Sequence, residues 1–238
     1  MIPKTIHYVW FGGKKLPYEV QKCIDSWKRF CPDYEIIRWD EQNFDVRAHQ
    51  FCSDAYDACC WAMASDYARL KVIYEYGGVY LDTDVELLKP LDATLDSEFW
   101  IGVGQQDLLC TTGLGFGAEA GNEIVYKMLK VYDDTRYSES GKSDIACPLL
   151  NDQVIRSIGY INSDKIERIG GATIYPCLYF DPVAPGAGHK YLLSDESFSV
   201  HHYSNSWGSH SDVIRRKVIR LIGYRRINMI KQFLNKLK

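Results

Sequence analysis

The N-terminal part of the chain alternates between strand-like and helix-like patterns. Residues 5–11 are mostly β-branched or aromatic and stop at Gly12-Gly13, which is typical of a buried strand that ends in a loop. A helix is predicted over residues 18–30, and residues 34–39 predict a second strand. This order favours an α/β fold with a mostly parallel central sheet, in which ligands bind at the carboxyl ends of strands.

Composition bounds the class of protein. With 238 residues, 46% of them hydrophobic and 25% charged, the chain can bury one full core, which excludes a disordered chain, a collagen or a coiled coil. No run of about 18 uncharged apolar residues is present, and the start lacks the layout of a secretory signal, so we expect a cytosolic protein. The eight cysteines include no C-x-x-C spacing and are predicted to be reduced and mostly buried thiols.

Charge is distributed unevenly along the chain. Residues 213–238 carry nine of the 28 basic side chains and no acid, which leaves residues 1–212 with 19 basic against 31 acidic side chains. The basic segment also has apolar stripes at helical spacing, a pattern typical of a helix on an anionic membrane surface. The alternative is that these stripes dock on the acidic body or on a second subunit. We expect no nucleic-acid partner.

A long helix is predicted from about Ala55 to Tyr76, because this stretch contains neither proline nor glycine and ends at Gly77-Gly78. On this helix Asp66 and Arg69 point away from the charged outer face and toward the protein. They form either a buried intrahelical ion pair or part of a polar site inside the fold.

A strand with alternating faces is predicted after the two glycines, over residues 79–88. Tyr80, Asp82, Asp84 and Glu86 share one face, and the two aspartate carboxylates lie about 7 Å apart. A D-x-D sequence alone is usually a solvated turn, but carboxylates within an apolar strand are costly unless they are used. The pattern therefore favours a site for Mg²⁺ or Mn²⁺ that holds a diphosphate. Further on, strands are predicted at residues 100–104, 113–117 and 172–180, and a helix at 123–132.

Three separated motifs carry a family resemblance. Residues 65–70 and 76–84, together with residues 6–13 and 201–207, resemble the family 32 glycosyltransferases, including short bacterial enzymes of capsular and surface polysaccharides. More distantly, the chain is similar to yeast initiating mannosyltransferases and clostridial glucosylating toxins. The resemblance implies a GT-A nucleotide-sugar domain over residues 1–212, with residues 213–238 outside it. It also implies a divalent metal, Mn²⁺ or Mg²⁺, and transfer with retention of configuration.

The resemblance also assigns roles to individual residues. Trp10 would stack on the nucleobase of the donor, although a core aromatic is the alternative. Asp66 and Arg69 would reach the donor, Asp82 would contact ribose, sugar or metal, and Asp84 would bind the metal directly. The remaining site residues by resemblance are Tyr80 beside the donor, His202 in preference to His201 as a third metal ligand, and Trp207 on a loop over the diphosphate, with Asp82, Asp84 and Arg69 assigned to catalysis.

Two stretches bear on which sugar is used. Thr111-Thr112-Gly113 stands where related chains often have Asn-Thr-Gly, and residues 147–152 are expected near the donor sugar or the acceptor.

The resulting functional prediction is a metal-dependent, retaining glycosyltransferase that uses a UDP-sugar by preference. Its acceptor would be a surface polysaccharide or a lipid-linked oligosaccharide. Two alternatives stay open: a glycoside hydrolase that uses the Asp82 and Asp84 carboxylates, and a non-catalytic carbohydrate-binding or metal-binding protein.

Overall fold

The computed structural model of the protein describes residues 1–142, 144–185 and 190–204. The basic segment 213–238 and Trp207 lie outside the described residues, so the predictions made for them stay predictions.

Within the described part, the α/β prediction is confirmed. The helices are α1 (Tyr18–Phe30), α2 (Gln50–Asp57), α3 (Trp61–Tyr76), α4 (Glu123–Asp133), α5 (Cys147–Ser157) and α6 (Cys177–Phe180). The strands are β1 (Thr5–Val9), β2 (Glu35–Trp39), β3 (Gly78–Tyr80), β4 (Val85–Leu87), β5 (Phe99–Val103), β6 (Cys110–Ala118), β7 (Glu167–Ile169), β8 (Ala172–Tyr175) and β9 (Ser199–His201).

Seven strands form the central sheet, in the order β2-β1-β3-β6-β5-β8-β7. Five of them, β2, β1, β3, β5 and β8, run in one direction, and β6 and β7 run the opposite way. The sheet is therefore mixed, with most strands parallel in direction. The strands β4 and β9 form a separate antiparallel pair.

The sheet separates two hydrophobic clusters, because successive residues of a strand point to opposite faces. Ile101 and Val103 belong to the cluster beneath α3, α4 and α5, whereas Trp100 belongs to the cluster beneath α1. The helix α1 follows Pro17 and buries Val20, Cys23, Ile24 and Trp27, one stripe at helical spacing. This pattern is why its predicted bounds are confirmed.

Two predicted elements are each broken in the structure. The expected helix from Ala55 to Tyr76 is two helices, because Cys59 adopts a left-handed φ of 54° and turns the chain between α2 and α3. The expected strand over residues 79–88 is also two strands. It ends at Tyr80, and a hydrogen bond from the Val85 N–H to the Asp82 carbonyl (3.0 Å) closes a turn before β4.

Smaller differences affect the later elements. The strand predicted over residues 172–180 ends at Tyr175 and gives way to α6. The helix α5 was not predicted, although Pro148 near its start is a common initiating residue. All eight cysteines are free in the structure, and six of them are buried, as expected for mostly buried thiols.

In the described part of the chain, none of the helices has both the length and the apolar character needed to cross a bilayer.

A buried histidine ties the strands that lead to the D-x-D turn. His7 is 1% exposed, its Nε2 lies 3.0 Å from the Gly77 carbonyl, and its Nδ1 accepts a hydrogen bond from the indole N–H of Trp39 (3.0 Å). Burial lowers the pKa of His7 to about 4, so the ring is neutral and bridges β1, β2 and the start of β3. This packing leaves no room for a side chain at position 78, which is occupied by a glycine with a φ of +103°.

We expect Gly78→Ala to lower the free energy of unfolding by about 3 kcal/mol or more. A Cβ there would lie 2.8 Å from the Thr5 carbonyl oxygen and 2.9 Å from His7 Nε2. Gly13→Ala is the matched control, because its φ is +65° but no atom lies within 4 Å of the added carbon. The control should cost only about 1 kcal/mol of backbone strain. Urea unfolding of both variants measures the difference, and equal losses would contradict the packing argument.

Candidate active site

One cavity of about 450 Å³ opens where β1, β3 and β5 end and where β6 begins. The helix α3, the start of α5, the β5–β6 loop and the segment after β9 complete its wall. Strand ends that meet in this way are the usual location of ligand sites in α/β sheets. The polar residues that line the cavity are Ser65, Asp66, Arg69, Tyr80, Asp82, Thr83, Asp84, Gln106, Asp107, Thr111, Cys147, His201 and Tyr203.

Arg69 lies between two carboxylates. Its Nη2 is 3.0 Å from Asp66 Oδ1 and 3.0 Å from Asp82 Oδ1, and the side chain is only 5% exposed. Its guanidinium carbon lies 4.9 Å from the centre of the Tyr80 ring, whose hydroxyl donates to Asp82 (3.1 Å). Both interpretations of the helix pair are therefore correct, because Asp66 and Arg69 form an intrahelical ion pair and also face the site.

Three buried side chains behind Arg69 join this cluster. Thr112 Oγ1 lies 3.4 Å from Arg69 Nη1 and 3.1 Å from the Cys147 sulfur. The Asn151 amide donates to Thr112 Oγ1 (2.9 Å) and lies 2.9 Å from the same sulfur. Burial raises the pKa of the Cys147 thiol to about 11, so it is a neutral hydrogen-bonding group. Sequence reasoning located this stretch near the sugar or acceptor but assigned its residues no contacts.

Asp84 is held by the segment after β9. Its Oδ1 lies 3.0 Å from His201 Nε2, and its Oδ2 accepts from the backbone N–H (2.8 Å) and the hydroxyl (3.1 Å) of Ser204. Burial alone would raise the pKa of Asp84, but the charge of His201 and the hydrogen bonds from His201 and Ser204 outweigh burial, so the pKa is well below its usual value. Asp84 is therefore ionised at neutral pH.

The three residues Asp82, Asp84 and His201 fit a divalent metal ion. One ligand atom from each lies within 4.8 Å of the other two, and all three side chains are partly buried. Carboxylate oxygens and an imidazole nitrogen suit Mn²⁺ or Mg²⁺. This group contains His201, whereas the sequence favours His202 as the third metal ligand. In the β4–β9 pair His201 lies opposite Val85 and faces Asp84, whereas His202 Nε2 bonds Glu86 (2.8 Å).

Trp10 lies apart from these residues. It is 2% exposed, packs in the cluster beneath α1, and donates its indole N–H to the Lys14 carbonyl (2.7 Å). Its neighbour Val9 points to the other face of the sheet and lines the cavity. The described contacts therefore favour the core alternative for Trp10.

Comparison with known proteins connects this geometry to a class of enzyme. Residues 17–100 match the family model described as the glycosyltransferase sugar-binding region containing the DXD motif. This region includes α3, the D-x-D turn and therefore four of the charged residues of the cavity. The chain thus contains a DXD-type glycosyltransferase sugar-binding region.

The individual relatives share only moderate sequence identity with this chain. Inositol phosphoceramide mannosyltransferase 3 of Schizosaccharomyces pombe is 31% identical over 107 residues, which is 42% of this chain and 29% of the relative. The chain spans only 29–33% of the length of the curated relatives that it matches first. An uncharacterized glycosyltransferase of Acanthamoeba polyphaga mimivirus is 23% identical across 88% of this chain and 85% of its own length.

A solved structure shares the fold. The PaToxG glycosyltransferase aligns with 66% of this chain and 68% of its own, with a TM-score of 0.55 and 20% identity. At this identity the likeness concerns the arrangement of strands and helices. It agrees with the α/β architecture described above.

The pKa of Asp66 yields a test of the buried cluster. Burial raises this pKa from 3.8 to about 6. Between these values the unfolded carboxyl has lost its proton while the folded one keeps it, so the native protein loses stability as pH rises. In metal-free protein, Asp66→Asn should therefore gain up to about 3 kcal/mol relative to wild type between pH 4 and pH 7.

Urea unfolding at several pH values measures this difference. Asp57→Asn is the control, because Asp57 is exposed and Arg47 lowers its pKa, so the variant should show no such gain. A difference between Asp66→Asn and wild type that does not vary with pH would contradict the raised pKa.

Proposed function

We propose that the protein is a metal-dependent glycosyltransferase that moves a sugar from a nucleotide diphosphate donor to a glycan or lipid-linked acceptor. The observation that carries the proposal is the meeting of Asp82, Asp84 and His201 beside Arg69 in one cavity, with three of the four inside the matched sugar-binding region. A cation bound there would offset the negative charge of the donor diphosphate. The proposed cofactor is Mn²⁺ or Mg²⁺, held by these three side chains.

The charge balance of the cavity supports the need for a cation. Among the described residues that line it, the cationic groups are Arg69 and His201, and each already faces carboxylates. Four aspartates line the same space, namely Asp66, Asp82, Asp84 and Asp107. A diphosphate would meet net repulsion in such a cavity unless a metal accompanied it.

The protein side chains then have separate tasks. Arg69 fixes the Asp66 and Asp82 carboxylates, so both can accept hydrogen bonds from sugar hydroxyls in a set geometry. Asp82 and Asp84 would supply carboxylate oxygens to the metal, and Tyr80 orients Asp82 through its hydroxyl. The buried position of these groups limits water near the reacting bond, which favours transfer over hydrolysis.

The finer assignments rest on the resemblance. UDP as the carrier, retention of configuration and front-face attack by an acceptor hydroxyl are proposed on that ground, as is the role of Trp207 on a loop over the diphosphate. For the acceptor, the matched yeast proteins are named as inositol phosphoceramide mannosyltransferases, which supports a lipid-linked acceptor. A surface polysaccharide and an anionic membrane surface contacted by residues 213–238 remain part of the proposal.

A panel of nucleotide sugars separates this function from its alternatives. The proposal expects turnover of at least one donor that depends on added Mn²⁺ or Mg²⁺ and stops with a chelator. Cleavage of glycosides without nucleotide or metal would instead identify a hydrolase that uses Asp82 and Asp84. Binding of sugar or metal without any turnover would identify a non-catalytic protein.

Asp84→Asn tests the proposed metal ligand. The loss of one ionised ligand should lower donor turnover at saturating Mn²⁺ by on the order of a hundredfold or more. Glu86→Gln is the matched control, because Glu86 lies on the neighbouring strand β4, bonds His202 and is outside the lining of the cavity. The control should keep wild-type turnover. More than about a tenth of the activity remaining in Asp84→Asn would remove Asp84 from the metal site.

Trp10→Ala tests the two roles of that tryptophan. Because the side chain is fully packed, we expect the free energy of unfolding to fall by about 3–5 kcal/mol. Calorimetry with UDP on the folded variant then shows whether Trp10 also contacts the nucleobase. A fall in affinity equivalent to about 1–3 kcal/mol would assign the base contact to Trp10, and unchanged affinity would leave it in the core.

A further inference from the structure

Residues 201–204, from the last residue of β9 onward, are held at both ends by Asp84. His201 and Ser204 bond its two carboxylate oxygens, and the His202 N–H donates to the Asp84 carbonyl (2.9 Å). Between them Tyr203 has a left-handed φ of 49°, which is uncommon for a residue with a side chain. The surrounding contacts must therefore hold the segment in this conformation.

A buried aspartate bonds the Tyr203 side chain. The Tyr203 hydroxyl donates to Asp181 Oδ2 at 2.7 Å, and Asp181 is 0% exposed. The same oxygen accepts from the Gln105 N–H (2.7 Å), at the start of the β5–β6 loop. Gln105 Nε2 also donates to the Asp181 carbonyl (3.1 Å). Asp181 thus joins two walls of the cavity, the β5–β6 loop and the segment that carries His201.

Tyr203 also contacts the proposed ligand itself. Its ring packs edge-on against the His201 imidazole, with the ring centres 4.2 Å apart and the planes at 68°. The Tyr203 side chain is therefore fixed at its hydroxyl by Asp181 and supports His201 with its ring. Neither Tyr203 nor Asp181 belongs to the group of three proposed metal ligands.

We propose that Tyr203 and Asp181 are positioning residues that hold His201 at the metal site. The proposal rests on the metal centre of the proposed function. Tyr203 fixes the direction of the His201 ring, and Asp181 fixes Tyr203 against the β5–β6 loop. Without this pair, His201 would still be present, but its imidazole would no longer be restricted to the position opposite Asp84, and metal affinity would fall.

The test measures binding of Mn²⁺ directly. MnCl₂ is titrated into the full-length protein, with and without UDP at one fixed concentration, and free Mn²⁺ is followed by electron paramagnetic resonance. Tyr203→Phe and Asp181→Asn should each weaken Mn²⁺ binding about tenfold or more, as expected when a supporting partner of a metal ligand is lost. Turnover of the variants should recover at high Mn²⁺, with the donor KM close to wild type.

The matched control is Tyr132→Phe. Tyr132 is 0% exposed in the cluster beneath α3, α4 and α5, and its hydroxyl has no hydrogen-bond partner among the described residues. This variant should bind Mn²⁺ as wild type does. Thermal unfolding of all three variants shows whether a loss of affinity is merely a loss of folding, and Tyr203→Phe removes only one oxygen, so it is the variant best able to fold.

The outcomes distinguish the two proposals. Wild-type protein that binds Mn²⁺, together with folded Tyr203→Phe and Asp181→Asn variants that bind it within twofold of wild type, would overturn the positioning role while leaving the metal centre intact. Wild-type protein that binds no Mn²⁺ in either condition would overturn the metal centre and the positioning role together.

Discussion

The site depends on one buried cation that two carboxylates share. A guanidinium that is 5% exposed would be costly to bury without partners, and Asp66 and Asp82 provide them from a helix and from a turn. Because both carboxylates bond the same nitrogen, the position of α3 relative to the end of β3 is fixed by charge as well as by packing. The Tyr80 ring and the Thr112 hydroxyl cover the remaining faces of the guanidinium.

The break between β3 and β4 gives these charges their geometry. A continuous strand would have kept Asp82 and Asp84 in one row along the sheet. The turn instead separates their partners, so that Asp82 faces Arg69 while Asp84 faces His201 and Ser204. One short sequence thereby serves both a rigid ion-pair cluster and a group of three metal-compatible ligands.

Sequence reasoning could predict the parts of this structure that local patterns control. The stripe of Val20, Ile24 and Trp27 set the bounds of α1, and the glycines after Tyr76 marked the end of α3. The break at Cys59 carried no glycine or proline, so no local signal indicated it. The alternation of burial continues through Thr83 and Val85 although the strand does not, which is why a single strand was predicted.

The site was predictable only in part, because some of its contacts depend on tertiary structure and not on local sequence. The motif with Asp66, Arg69, Asp82 and Asp84 lies within one continuous stretch, and its residues do converge. The choice between His201 and His202 depends on the register of β9 against β4, which is a tertiary property. The contacts of Cys147, Asn151 and Asp181 come from segments far apart in the chain, and no spacing in the sequence relates them.

The pairing of β4 with β9 has a consequence for how the protein is made. The Asp84 carboxylate and the Ser204 amide that it binds are 120 residues apart in the chain. During synthesis, the D-x-D turn leaves the ribosome together with the strands β1 to β3, long before β9 exists. The sheet can begin to form around a site that still lacks His201, Tyr203 and Ser204. A nascent or C-terminally truncated chain would thus carry Asp82 and Asp84 without the histidine and serine that bond Asp84 in the full chain.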